Sequence, residues 1–166
     1  MDLNKPIVGV VMGSASDKAV MEGCTDTLRE LEIPHEVIVS SAHRTPEQTK
    51  TYAATAAERG LEVIIAGAGW AAHLAGAIAA NTILPVIGVP IDSSPLQGMD
   101  ALLATVQMPP GIPVATVALG KGGAKNAAIL AAQILALKYP SISENLKASR
   151  DAMTRKAEGK AEAWVP

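Results

Sequence analysis

The chain has 166 residues, 49% apolar and 18% charged, with a net charge of −2; this describes one domain with a real core and excludes a disordered chain. The charge balance gives no global pull toward nucleic acid or an anionic membrane. Aromatics supply only 2% and Phe is absent, while the lone Cys24 excludes an intramolecular disulfide and a Cys-cluster metal site, and with three His a structural zinc site is not expected.

The opening Met1-Asp2-Leu3-Asn4-Lys5-Pro6 lacks the basic and apolar regions of a signal peptide, so a cytoplasmic location is expected. An apolar run at 7–12 predicts the first strand. Val20/Met21, Cys24, Leu28 and Leu31 recur at helical spacing and predict a helix over 17–31. His35 precedes a second strand at 37–40 and reads as structural. Pro46 in a first-turn position and Gly60 at the close bracket a helix over 45–59. Residues 63–91 carry no Asp, Glu, Lys or Arg, but Gly67, Gly69, His73, Asn81, Pro85, Gly88 and Pro90 break any ~20-residue membrane helix. The segment reads instead as strand 63–67, a glycine loop, a small-residue helix over 71–80 and strand 85–89. A helix at 99–106, a strand at 114–119 and a helix at 124–138 follow. Ser141-Ile-Ser-Glu144 reads as a capping box opening a last helix with Ile142, Leu146, Ser149 and Met153 on one face.

The strand runs are β-branched-rich and lack alternation, which suits strands covered on both faces of a parallel sheet. The expected fold is a doubly wound, flavodoxin-like α/β/α sandwich with a five-stranded parallel sheet. Residues 1–140 are expected to form this α/β domain and 141–166 a C-terminal helical extension. In such folds ligands bind beyond the carboxyl ends of the strands. Three loops should meet there: 13–17, 40–46 and 67–73.

In the first loop, Gly13-Ser14-Ala15-Ser16-Asp17, free backbone N–H groups, a helix dipole and two hydroxyls suit a phosphate. The plain alternative is capping, with Ser16 as N-cap and Asp17 near the positive helix end. Arg44, at the end of strand two, adds the bidentate donor that phosphate favours. His43 beside it is of the residue type that both gives and takes a proton near neutral pH, or else it caps the next helix. His73 stands at another helix start. Gly67-Ala-Gly69-Trp-Ala-Ala72 matches a dinucleotide fingerprint, with Asp92 near the acidic position, but it falls in the third βα unit rather than the first. Gly120-Lys121 ends no Walker motif, since residue 115 is Ala and residue 122 Gly. Strand ends without acids argue against a receiver domain, few aromatics against a flavodoxin, and the missing nucleophile elbow against acyl transfer.

Taken together, several segments resemble the class I N5-carboxyaminoimidazole ribonucleotide mutases of purine biosynthesis, from about Val8 to Leu137. They are Val11-Met12-Gly13-Ser14-Ala15-Ser16-Asp17, Ser41-Ala42-His43-Arg44-Thr45-Pro46, Ile65-Ala66-Gly67-Ala68-Gly69, Ala71-Ala72-His73-Leu74, Leu84 to Pro90, Val106-Gln107-Met108-Pro109 and Asn126 to Leu135. The resemblance implies an isomerase without cofactor or metal. It moves a carboxylate from the exocyclic nitrogen of an aminoimidazole ribonucleotide to ring carbon 4. By position, His43 is the proton-transfer residue. Ser14, Asp17 and Arg44, with Ser16 and Ser41 beside them, match substrate contacts, and Gly69 and His73 match the loop lining the base. The pattern is broken at Trp70, where a smaller residue is usual, and at Ala75, where Pro is frequent. Trp70 bears on the shape of the base pocket or on a subunit contact. Two alternatives are a class II carboxylase using free carbon dioxide, whose members resemble Ser-Ala-His-Lys rather than Ser-Ala-His-Arg, and a non-enzymatic phosphometabolite-binding domain that would not need His43.

Between Leu61 and Gly120 only Glu62, Asp92 and Asp100 are charged, more apolar surface than one sheet domain easily hides. Helices rich in Ala at 71–80 and 124–136 could approach a symmetric partner closely or pack on their own sheet. The resemblance implies a homo-octamer. The small-molecule ribonucleotide is the expected partner, with no nucleic acid and no membrane, and the segment after Ser141 is expected to clasp a neighbouring subunit.

Overall fold

Strands without charge or alternation must be shielded on both faces, and the chain meets that demand by placing helices above and below a parallel sheet. The computed structural model describes residues 5–162. Residues 1–4, within the stretch read as lacking a signal peptide, and 163–166, the end of the C-terminal extension, lie outside the described residues. The elements are β1 (Val8–Met12), a 3-10 turn (Ala15–Asp17), α1 (Lys18–Glu30), β2 (His35–Val39), α2 (Pro46–Thr55), β3 (Val63–Gly69) and α3 (Leu74–Ala79). They continue with β4 (Val86–Ile91), α4 (Met99–Val106), β5 (Ala115–Thr116), α5 (Gly120–Ala136) and α6 (Pro140–Glu162). The five strands run parallel in the order β2-β1-β3-β4-β5, the flavodoxin-like arrangement.

Two cores flank the sheet. Val8, Val10, Met12, Val63, Ile65, Ile87 and Val89 point to one side, where they meet Met21, Cys24 and Leu28 of α1 and the alanines of α5. Val11, Ile64, Ala66 and Val86 point to the other, against Ala53 of α2 and Leu74, Ala75 and Ile78 of α3. Ala124, Ala127, Ala128, Ala131 and Ala132 are fully buried within this chain, so the small residues of α5 serve its own core. Large apolar side chains are exposed elsewhere, including Val37, Val39, Leu103 and Val106.

The sheet edges and helix starts depart from expectation. β2 begins two residues early, takes in His35, and leaves Val37 and Val39 nearly half exposed, because an edge strand is covered on one face only. β5 shortens to two residues; only Val117 N–H, bonded to the Gly88 carbonyl at 3.1 Å, extends its pairing. α2 stops at Thr55, and α3 starts at Leu74 because β3 runs on through Gly69. α5 starts at Gly120, whose φ of +64° favours glycine. Ser141 does not open α6: the Tyr139 carbonyl accepts from Ser143 N–H at 3.2 Å, so Ser141 lies inside a first turn that Pro140 begins. Ile142 is buried in the core beside α5, and Asn145 Nδ2 donates to the Leu31 carbonyl at 3.1 Å, docking the start of α6 on its own chain. From residue 151 through 159 the helix is exposed. No described helix is long and apolar enough to cross a membrane.

Candidate active site

Strand order reverses between β1 and β3, and there the chain leaves the sheet in opposite directions and opens a crevice. Gly13 N–H donates to the Gly67 carbonyl at 3.0 Å, and Ser40 N–H to the Met12 carbonyl at 2.9 Å. These bonds extend the sheet ladder by one step and fix the roots of the first two loops.

The first loop turns sharply. Ser14, with φ −150° and ψ 154°, is the residue that caps the 3-10 turn: its Oγ accepts from Ser16 N–H at 3.3 Å. Asp17 Oδ2 accepts from Ser14 N–H at 3.0 Å and closes the capping box. Ser16 is therefore not the cap expected from the sequence; the inserted 3-10 turn moves that role two residues upstream. The Ser16 hydroxyl instead donates to Ser14 Oγ at 2.9 Å. Asp17 is buried, and burial raises its carboxyl above the ordinary value, opposed by Ser14 N–H and the nearby Arg44 charge.

The second loop carries the cationic side of the site. Ser41 Oγ accepts from Arg44 N–H at 3.2 Å and from its Nε at 3.4 Å, and Arg44 Nη2 donates to the Gly13 carbonyl at 3.3 Å. The exposed guanidinium thus bridges the first two loops. The neighbouring His43 reaches across to the third loop, where its Nε2 lies 2.9 Å from His73 Nδ1, with ring centroids 5.0 Å apart and planes at 79°. One of these nitrogens carries the proton and the other accepts it, so the pair couples the two tautomers.

In the third segment Gly67 and Gly69 belong to β3 itself, not to a turn opening a helix, which removes the geometry of a dinucleotide fingerprint. Gly69 is needed for close approach: a Cβ there would overlap Ser93 Oγ and lie 3.1 Å from the Ile91 carbonyl. Trp70 follows with φ +55°. His73 immediately precedes α3 without capping it through its side chain, which leaves the ring to His43.

A cleft of about 590 Å³ unites Ser14, Ser16, Asp17, Ser41, His43, Arg44, Gly69 and His73, every site residue expected from the sequence. It also includes Trp70 and Ser93. The Ser93 hydroxyl, just past β4, was missed by sequence reasoning; its signal was its place at the carboxyl end of the strand beside β3. A larger groove of about 810 Å³ lies among α1, α5 and α6 and includes none of the strand-end loops. Among the described residues no three His, Cys, Asp or Glu side chains are grouped to hold a metal ion.

A family model described as AIR carboxylase matches residues 7–156. A Pyrococcus abyssi N5-carboxyaminoimidazole ribonucleotide mutase is 60% identical over 150 residues, covering 90% of this chain and 85% of that protein. The Escherichia coli protein of the same name is 52% identical over 151 residues, 91% of this chain and 89% of its own. Among solved structures, the crystal structure of Treponema denticola PurE superposes with a TM-score of 0.85 at 27% identity, over 98% of this chain and all of that one (100%).

Proposed function

The chain belongs to the AIR carboxylase family, and on that footing we propose that it is an N5-carboxyaminoimidazole ribonucleotide mutase, an isomerase of purine biosynthesis. The observation that carries the reading is that the His43–His73 pair lines the same cleft as Ser14, Ser41 and Arg44, whose guanidinium bonds the Gly13 carbonyl. That arrangement offers a proton carrier and an anion site within one cleft.

Arg44, the Ser14 and Ser16 hydroxyls and the Ser41 corner receive the substrate's phosphate, since charge-assisted donors and hydroxyls converge there. Asp17 would repel a phosphate; with one oxygen held by Ser14 N–H, its other oxygen suits a ribose hydroxyl. This anchoring aligns the base with His43. His43 as an acid gives a proton to the exocyclic carbamate nitrogen, the nitrogen–carboxyl bond breaks, and carbon dioxide leaves. Ring carbon 4 then attacks the held carbon dioxide to form the new carbon–carbon bond. Neutral His43 takes the proton from carbon 4 and returns to its starting state, so atoms and charge balance with no outside reagent. Ala68, Gly69 and Ala71 give the small apolar lining that a neutral gas requires. His73 holds the His43 ring in one orientation.

Product formation from the carbamate nucleotide without added bicarbonate tests this reading. Formation only from AIR plus bicarbonate would support the class II carboxylase instead. The enzyme needs no cofactor and works in the cytoplasm.

The exposed Val37, Val39, Leu103 and Val106 support an assembled form, for which we infer an octamer. The half of α6 beyond residue 150 reaches a neighbouring subunit. Sedimentation equilibrium should give eight copies for the full chain and fewer for a chain ending at Arg150, which keeps the buried Ile142. A monomeric full chain would refute assembly, and an unchanged octamer after truncation would refute the clasp.

A further inference from the structure

Trp70 takes no part in the proton path or the phosphate anchor, yet it forms part of the cleft wall. Two unfavourable features coincide in it. Its φ of +55° lies in the left-handed region, where a bulky L residue is strained. The residue is 58% exposed, which leaves much of a large apolar side chain in water. The backbone has little room to relax. On one side Gly69 is paired in register with Ile91 and pressed against Ser93. On the other, His73 N–H bonds the Ala71 carbonyl at 2.8 Å and the His73 carbonyl accepts from Ala77 N–H at 2.9 Å, which starts α3. The strand end and the helix start therefore fix the Trp70 backbone at the cleft wall. Ala42, Ala68, Ala71 and Ser93 around the cleft are small, so Trp70 offers it the one broad apolar ring face among the described lining residues. Local strain of this kind persists where a functional gain offsets it.

We propose that Trp70 is a substrate-contacting residue whose indole stacks on the aminoimidazole ring of the bound nucleotide and gives the cleft its preference for a flat heteroaromatic base. The identity of the ring rests on the mutase reading. An indole face is suited to such a ring, and a stacked base is worth roughly ten-fold or more in affinity.

The test is calorimetric titration of the full-length protein and its Trp70→Gly, Trp70→Asn and Trp70→Phe variants with two probes, AIR and ribose 5-phosphate. Gly and Asn both tolerate left-handed backbone, so the ring is removed without adding strain, and either variant serves if the other fails to fold. The expected result is AIR affinity down about ten-fold in the Gly and Asn variants and kept within about three-fold in the Phe variant, with ribose 5-phosphate affinity unchanged throughout. The KM for the carbamate nucleotide should rise in parallel while kcat changes less. Unchanged AIR affinity in the Gly and Asn variants overturns the proposal, as does an equal loss for ribose 5-phosphate. Altered sedimentation with AIR affinity intact assigns Trp70 to a subunit contact and overturns it too. Wild-type protein that binds AIR through Trp70 but does not convert the carbamate supports the stacking and refutes the mutase reading. Turnover with Trp70-independent affinity does the reverse.

Discussion

Replacing His43 by Asn separates chemistry from binding. His43 is exposed, and its side chain bonds His73 Nδ1 at 2.9 Å. Losing an exposed bond of this kind costs at most about 1 kcal/mol, or roughly 2–4 °C in Tm for a domain of this size. The two cores lie away from it and stay intact. The phosphate corner keeps Arg44 and Ser14, so KM should change by less than about three-fold, because the lost group acts in the transition state rather than in the bound substrate. The effect on kcat is large. A positioned acid–base group contributes about 10² to 10⁴, or about 3–5 kcal/mol of barrier. His43 serves two successive proton transfers, so the loss follows the slower step and not the product of both. Thermal melts by circular dichroism, with steady-state rates on the carbamate nucleotide, measure all three quantities. A variant keeping more than about a tenth of wild-type kcat would refute His43 as the proton carrier.

Arg44→Ala removes the guanidinium that bridges the first two loops and should raise the KM for the nucleotide about ten-fold or more, as charge-assisted bonds to phosphate are lost. The dephosphorylated nucleoside should scarcely feel the change, which a comparison of the two substrates checks directly. Asp17→Asn keeps an acceptor for Ser14 N–H while removing a charge that burial disfavours. The folded carboxyl is raised above its unfolded value, so wild-type stability is fullest below the unfolded value and falls as pH rises through the folded one. Urea midpoints should therefore show the variant at least as stable as wild type at pH 7, with the difference shrinking as pH is lowered, and with substrate affinity reduced.

The buried elements were legible in the sequence because their chemistry leaves few alternatives. β1, β3 and β4 are uncharged, largely buried runs rich in Val and Ile, and α4 falls on its expected residues 99–106. The edges were less legible. Val37 and Val39 look like core residues, but an outermost strand leaves one face bare, and apolar type alone does not reveal strand order. Ser16 and Ser14 are both good caps; only the 3-10 turn between strand and helix decides for Ser14. The cleft was legible through residues at strand ends, since topology brings such loops together whatever their exact bounds. Ser93 escaped because the turn after β4 carries no motif, and its hydroxyl enters the cleft only through the close packing that Gly69 permits. The His43–His73 contact spans 30 residues and depends on the β1–β2 and β1–β3 registers together, which no local pattern encodes.

The most direct test of the account follows the migrating carbon. The carbamate nucleotide, labelled with carbon-13 at its carboxylate, is converted by the enzyme in excess unlabelled bicarbonate, and the product is examined by mass spectrometry. A mutase that holds carbon dioxide in the cleft between His43 and Gly69 predicts that nearly all the label appears at carbon 4 of the product. A product carrying mainly unlabelled carboxylate would contradict it, because the carbon would then have come from solution.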